Sequence, residues 1–393
     1  MKRILLPLIC LLFGFFQMTA QNHRVVSNTD NQLTFTVTTG ELTTSDVTVE
    51  QGQFTRLLMD GCASGVVNVG KPELPMVVKT IEIPLCGDIH VTATAGRTRT
   101  LTAEEAGIRH TVWPTQPQYD KSYAGDRPFQ MDEATYATNA TYGMPLASVA
   151  KAGVARDVNM ASVTLYPVQV NPVTNTVTVY DDITVTVTYD NVDMAATREM
   201  KLKYASPAFS HPAELINHIE GGLTRDALST RPVKLLIIAN DMFNGQLDEF
   251  INWKRRKGFL VEIAYTGTTG TTTTSIKNYI NGRFTSATAT DPAPTYVLLV
   301  GDVAQIPTHS GQTDDHYTDL YYYTQVGNDN VPDCYGGRFS AQTIAQLTPQ
   351  IDKTLNYEQL TMPDLTYLDR CVLVAGNDQG RTGDYGYSHG NPT

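Results

Sequence analysis

From residue 21 to about residue 225, apolar and polar residues alternate one by one. Gln32–Thr38 reads Gln-Leu-Thr-Phe-Thr-Val-Thr, and Thr176–Tyr180 and residues 183–189 repeat the pattern with valine, isoleucine and tyrosine. A period of two rich in β-branched residues is the pattern of strands buried on one face. Gly40, Gly52, Gly70 with Pro72, and Asn171-Pro172 with Asn175 punctuate it as turns. Residues 71–84 carry three prolines and predict an edge or bulged strand. The sum is an all-β module of sandwich type.

Near Arg231 the pattern changes. Residues 234–241 run Lys-Leu-Leu-Ile-Ile-Ala-Asn-Asp, and residues 295–302 run Thr-Tyr-Val-Leu-Leu-Val-Gly-Asp. Continuous apolar runs of this kind suit strands buried on both faces of a parallel sheet. Residues 260–265, 335–339 and 370–375 predict further strands. Helical spacing places Leu247, Phe250, Ile251 and Trp253 on one side of 246–257, Ile276, Tyr279 and Ile280 on 275–284, and Leu347, Ile351 and Leu355 on 344–360. Alternating strands and helices define an α/β domain with a mainly parallel sheet. Asp241 and Asp302 fall at carboxyl ends of strands, where open α/β sheets collect ligands and catalytic groups; each equally suits a cap for the turn that follows.

Composition narrows the function. The 393 residues carry a net charge of −11, which lacks the basic face of a nucleic-acid binder. Residues 1–20 hold Lys2 and Arg3, then an apolar run from Ile4 to Phe16, then Met18-Thr19-Ala20. This is the layout of a cleaved secretory signal, too short in its apolar part to be a membrane span. It predicts a secreted or cell-surface protein. Cys62, Cys86, Cys334 and Cys371 would remain after cleavage. Cys62 and Cys86 share one module and could pair, or stay as small buried residues. No CxxC, P-loop or G-x-G-x-x-G occurs. Residues 226–231, within the glycine-rich polar stretch 221–232, read as a linker. With Arg225 and Arg231 they also suit an activation segment open to proteolysis.

Three runs carry a resemblance. Residues 296–307 (Tyr-Val-Leu-Leu-Val-Gly-Asp-Val-Ala-Gln-Ile-Pro), residues 325–340 and residues 350–358 resemble the gingipain family of cysteine peptidases, as does the strand-and-helix start at 234–258. The resemblance covers about residues 232–380, and the β-rich leader is similar to the family's pro-domain. It implies a β-sandwich-like pro-domain over 21–225 and, over 232–393, the amino-terminal part of a caspase-like α/β domain, incomplete at Thr393. It also implies export as a zymogen, peptide or protein substrates for the full-length enzyme, a contact between pro-domain and catalytic domain, and a Cys/His pair acting by thiolate attack.

That pair is expected beyond this chain. The family's His-Gly and its nucleophilic cysteine end later strands than the one at Cys371. His389-Gly390 comes only eighteen residues after Cys371 and follows no apolar strand. The expectation is a truncated peptidase precursor with no catalytic residue of its own; the rival is a noncatalytic exported binding or surface module. Asp384 lies near the family's specificity position without a firm alignment. The resemblance further implies calcium, held by Asp302, the Val326 carbonyl, Asp329, the Val331 carbonyl and Asp333, since hard cations take carboxylate and carbonyl oxygens. The same loop reads as an acidic turn in which Asp329 bonds its own backbone. His316 and Tyr321 to Tyr323 would line a cleft or pack among themselves.

Overall fold

The structure is a computed structural model that describes residues 22–64, 67–119, 126, 128–211, 214–312 and 316–372. The signal segment 1–20, Asp384 and His389-Gly390 lie outside the described residues.

The leader is built on two facing antiparallel sheets. In the first, β1 (His23–Thr29), β2 (Gln32–Thr38), β7 (Asp182–Tyr189) and β4 (Ile89–Ala95) lie side by side in that order. The second runs β5 (Ala147–Ala155), β6 (Val158–Leu165), β3 (Pro75–Glu82) and the two-residue strand Ala63–Ser64. The alternation closes the core. Leu33, Phe35 and Val37 of β2 and Ile183, Val185 and Val187 of β7 meet Val77, Ile81, Val163 and Leu165 of the other sheet, all buried. A second small core lies between Gly52–Met59, Val168–Asn171 and Thr176–Tyr180. The proline-flanked strand β3 is an edge. It pairs along its length with β6; on its other flank Met76 and Pro75 meet Ala63 and Ser64, and Thr80 bridges to Leu215.

Helices interrupt the leader where the strand pattern gives no warning. α1 (Met194–Tyr204) is capped by Asp193, whose side chain accepts from Ala196 N, and it buries Thr197, Met200 and Lys201 rather than an apolar stripe. Inside the predicted linker, Arg225–Ser229 is helical, because the Thr224 side chain accepts from Ala227 N.

The second module is a four-stranded parallel sheet in the order β9 (Phe259–Tyr265), β8 (Val233–Ala239), β10 (Tyr296–Val300) and β11 (Tyr335–Phe339). The helices α2 (Asp248–Arg256) and α4 (Ile344–Gln359) cover one face and α3 (Thr273–Thr285) the other. Leu236 and Ile238 face α3, while Leu235, Ile237 and Ala239 face α2 and α4. Both faces are covered, and so the run 234–239 is apolar throughout. The strand expected at 370–375 does not begin where predicted. Thr366–Asp369 is a 3-10 turn, and Cys371 and Val372 are exposed and pair with no strand among the described residues. The rest of that segment lies outside the described residues.

Candidate functional site

The carboxyl edge of the parallel strands is a braced platform. After β10 the chain turns at Gly301-Asp302. The Asp302 carboxylate accepts from Gln342 Nε2 (2.6 Å) and Ser340 Oγ (2.9 Å), bonds that hold its carboxyl below the usual range. It thereby fastens the start of α4 to the end of β10. Asp241 does similar work: its Oδ1 accepts from Gly267 N at 3.1 Å. Both aspartates thus serve as turn fasteners. Arg338 of β11 donates to the Gly301 and Ile306 carbonyls and pairs with Asp319 through Nε (2.8 Å) and Nη2 (2.7 Å).

The tyrosine run packs inward. Tyr322 is fully buried and donates to the Pro307 carbonyl, and Tyr323 is buried against the sheet. His316 is exposed. The histidine that joins the tyrosines is instead His309, its ring 4.7 Å from that of Tyr322 and 5.4 Å from that of Tyr321. Burial lowers its pKa. Sequence reasoning passed over His309; its place in the two-residue strand His309–Ser310, paired with Tyr317–Thr318, is a tertiary matter.

None of the described cysteines forms a nucleophile with a base. Cys334 is buried before β11 and its thiol is pushed up by desolvation. Cys62 and Cys86 are free rather than paired and pack at the rim of the leader core, with burial raising both thiols, Cys62 to about 11. A raised thiol is a poor nucleophile at neutral pH.

The amino edge of the same strands holds the denser polar constellation, and the leader supplies half of it. The turn between β5 and β6 reaches into the loop before β11. Asp329 accepts from Val331 N (2.8 Å) within its own turn and from Val154 N (2.8 Å) of the leader. Asp333, fully buried, accepts from Gln325 N, Val326 N and the leader's Arg156 N. Desolvation pushes its carboxyl up to about 6 even though these donors pull the other way, and the charge of Asp329 adds to the rise. Gly153 has φ +128°, and a Cβ there would meet Val331 and the Asp329 carboxylate at 2.8–2.9 Å, so the two chains approach as closely as glycine permits.

The five expected calcium ligands do not form one site. Asp302 follows β10 at the carboxyl edge; Asp333 precedes β11 at the amino edge. The five residues of β11 stand between them at about 3.3 Å each, far beyond the 2.3–2.6 Å of a calcium–oxygen bond. The structure does bring Asp329, Asp333 and the backbone at Val326 and Val331 into one loop. Among the described residues, no group of three or more His, Cys, Asp or Glu is placed to hold a metal.

The comparisons divide the chain into two regions in the same order. The family described as Propeptide_C25 matches residues 21–206, and Peptidase family C25 matches residues 228–391. The chain belongs to the gingipain family of cysteine peptidases, as its pro-domain followed by part of its catalytic domain. Lys-gingipain HG66 of Porphyromonas gingivalis is 30% identical over 96% of this chain, and a gingipain R1 of the same organism is 27% identical over 65%. The chain spans 22% and 25% of the length of those two relatives. A solved structure of gingipain K from P. gingivalis, described for zymogenic latency, is 25% identical with a TM-score of 0.40, covering 45% of this chain and 96% of that one.

Proposed function

We propose that this chain is the amino-terminal portion of a secreted cysteine endopeptidase zymogen. Residues 1–20 would direct export, the β leader would hold the enzyme latent, and the segment 221–232 would be cut on activation at Arg225 or Arg231. Peptide-bond hydrolysis would belong to the full-length protein, through a thiolate and imidazole pair outside the described residues. The observation that carries this reading is the order of the two family matches, propeptide then peptidase, in one chain. Among the described residues no helix is long and apolar enough to cross a membrane.

The experiment is to read the coding sequence past Thr393 and to sequence the amino terminus of the matured product. An open frame holding a strand-ending His-Gly and then a strand-ending Cys, with maturation after Arg225 or Arg231, is the expected result. A stop codon at that point would instead leave a noncatalytic exported module.

Calcium enters this reading only at the loop 325–333, through the Asp329 and Asp333 carboxylates and the Val326 and Val331 carbonyls. Thermal melting with calcium and with a chelator tests it. A calcium-dependent rise in Tm that Asp329→Ala abolishes is expected; an Asp329→Ala protein that keeps the full rise ends the proposal.

A further inference from the structure

Arg156 is the least ordinary residue of the leader. It is fully buried, yet among the described residues no carboxylate accepts from its guanidinium. Its donors go to four main-chain carbonyls instead. Nε reaches Tyr204 O, Nη1 reaches Pro294 O (2.7 Å) and Asp333 O (3.0 Å), and Nη2 reaches Ala293 O (2.9 Å). The rings of Phe209 and Phe284 flank it with centroids 5.6 and 5.7 Å from Cζ. Three of the carbonyls and Phe284 belong to the α/β module; Arg156, Tyr204 and Phe209 belong to the leader.

The backbone at Arg156 makes the same point independently. Ala155 pairs with Val158, so Arg156 and Asp157 form a two-residue hairpin turn, and Arg156 sits at φ +60°. Two-residue hairpins ordinarily place Gly, Asn or Asp where φ is positive. A bulky residue in that region is strained and persists when its surroundings hold it there. The hairpin's own stability would favour glycine. What holds arginine there is the socket across the interface, whose carbonyls and rings match a planar fork of five donors.

We propose that this carbonyl-lined socket at the amino edge of the parallel sheet is a guanidinium-binding site that holds the leader on the α/β module after the connecting segment has been cut. The partner it fits is a β-hairpin presenting an arginine at its turn. The inference rests on the leader being a separable pro-domain, and it places the anchor of that separable piece in one side chain.

The test uses the whole chain with a recognition sequence for a site-specific protease placed in 222–230. After cutting, the wild-type halves are expected to co-elute on size exclusion and to separate slowly on dilution. Arg156→Gly deletes the guanidinium while suiting φ +60°, so the leader should keep its own melting transition, followed through Trp113. Its separation from the α/β half should be at least about 100-fold faster, the scale of a buried interface hot spot. Arg156→Lys should fall between, since an ammonium cannot engage the same carbonyls at once. Cut Arg156→Gly halves that separate no faster than wild type would overturn the proposal, as would wild-type halves that part at once. If the halves hold through Arg156 while the coding frame stops after Thr393, the zymogen reading fails and the socket stands.

Discussion

Glu82 and Lys201 form another buried charged group of the leader, both almost wholly shielded from water. Glu82 also accepts from Ile219 N (2.9 Å), and His218 Nδ1 lies 3.2 Å from the same carboxylate oxygen. Asn217 brackets the Glu82 backbone, accepting from its N–H and donating to its carbonyl, each at 2.8 Å. These bonds strap residues 215–219 onto the free flank of β3, where Ile216 N also donates to Thr80 O. Removing one partner of a buried pair leaves an uncompensated charge. Lys201→Met is therefore expected to destabilise the leader by about 3–5 kcal/mol, measured by denaturant unfolding. None of this was legible in the sequence. A glutamate in an alternating strand reads as a solvent-facing residue until the fold brings a lysine 119 positions away against it.

Elements were more legible than residues wherever one periodicity ran unbroken. β2 and Thr176–Tyr180 have the boundaries their alternation predicts, and α4 buries Leu347, Ile351 and Leu355 as spaced. The pattern failed at α1, whose buried face includes a threonine and a lysine, and at Arg225–Ser229, where a cap makes a helix of a linker. The diglycine of β11 shows how packing separates two identical residues. A Cβ at Gly336 would fall 2.0 Å from the Tyr323 ring, whereas at Gly337 it would meet only Leu298 Cδ1, at 4.0 Å. Gly336→Ala is expected to displace Tyr323 and lower Tm by several degrees, while Gly337→Ala should leave it nearly unchanged; equal melting of the two variants would refute this packing. Tyr323 is held from behind by Asp333 N, which donates to its carbonyl, so the ring has little room to retreat.

At the scale of the whole molecule, the connection between modules is the exposed part and its two flanks are fixed. Residues 215–219 are strapped to β3, and Val233 opens the central region of the parallel sheet. Between them, the short helix Arg225–Ser229 is held by its Thr224 cap and local bonds. Brief trypsin treatment is expected to cut after Arg225 before any Lys or Arg bond of the other described strands and helices, as mass spectrometry would show; the Arg231–Pro232 bond resists trypsin. An early cut inside β5 or β6 would instead mean that the hairpin is not seated as described.

The sequence by itself determined what depends on neighbours along the chain. Period two made the leader a sandwich, continuous apolar runs made the second module a covered parallel sheet, and three local motifs marked the family. It also singled out Asp302, Asp329 and Asp333 as oxygen donors. Only the tertiary structure decided which of them meet. Strand direction sends Asp302 to one edge of the sheet and Asp333 to the other, and sequence distance carries no information about that. The same holds for Arg156. Seen in the chain it is one basic residue in a hairpin turn; folded, it fills a socket whose walls come from residues 204 to 333. Main-chain carbonyls form most of that socket, and every residue has one, so no choice of side chain announces where they will converge.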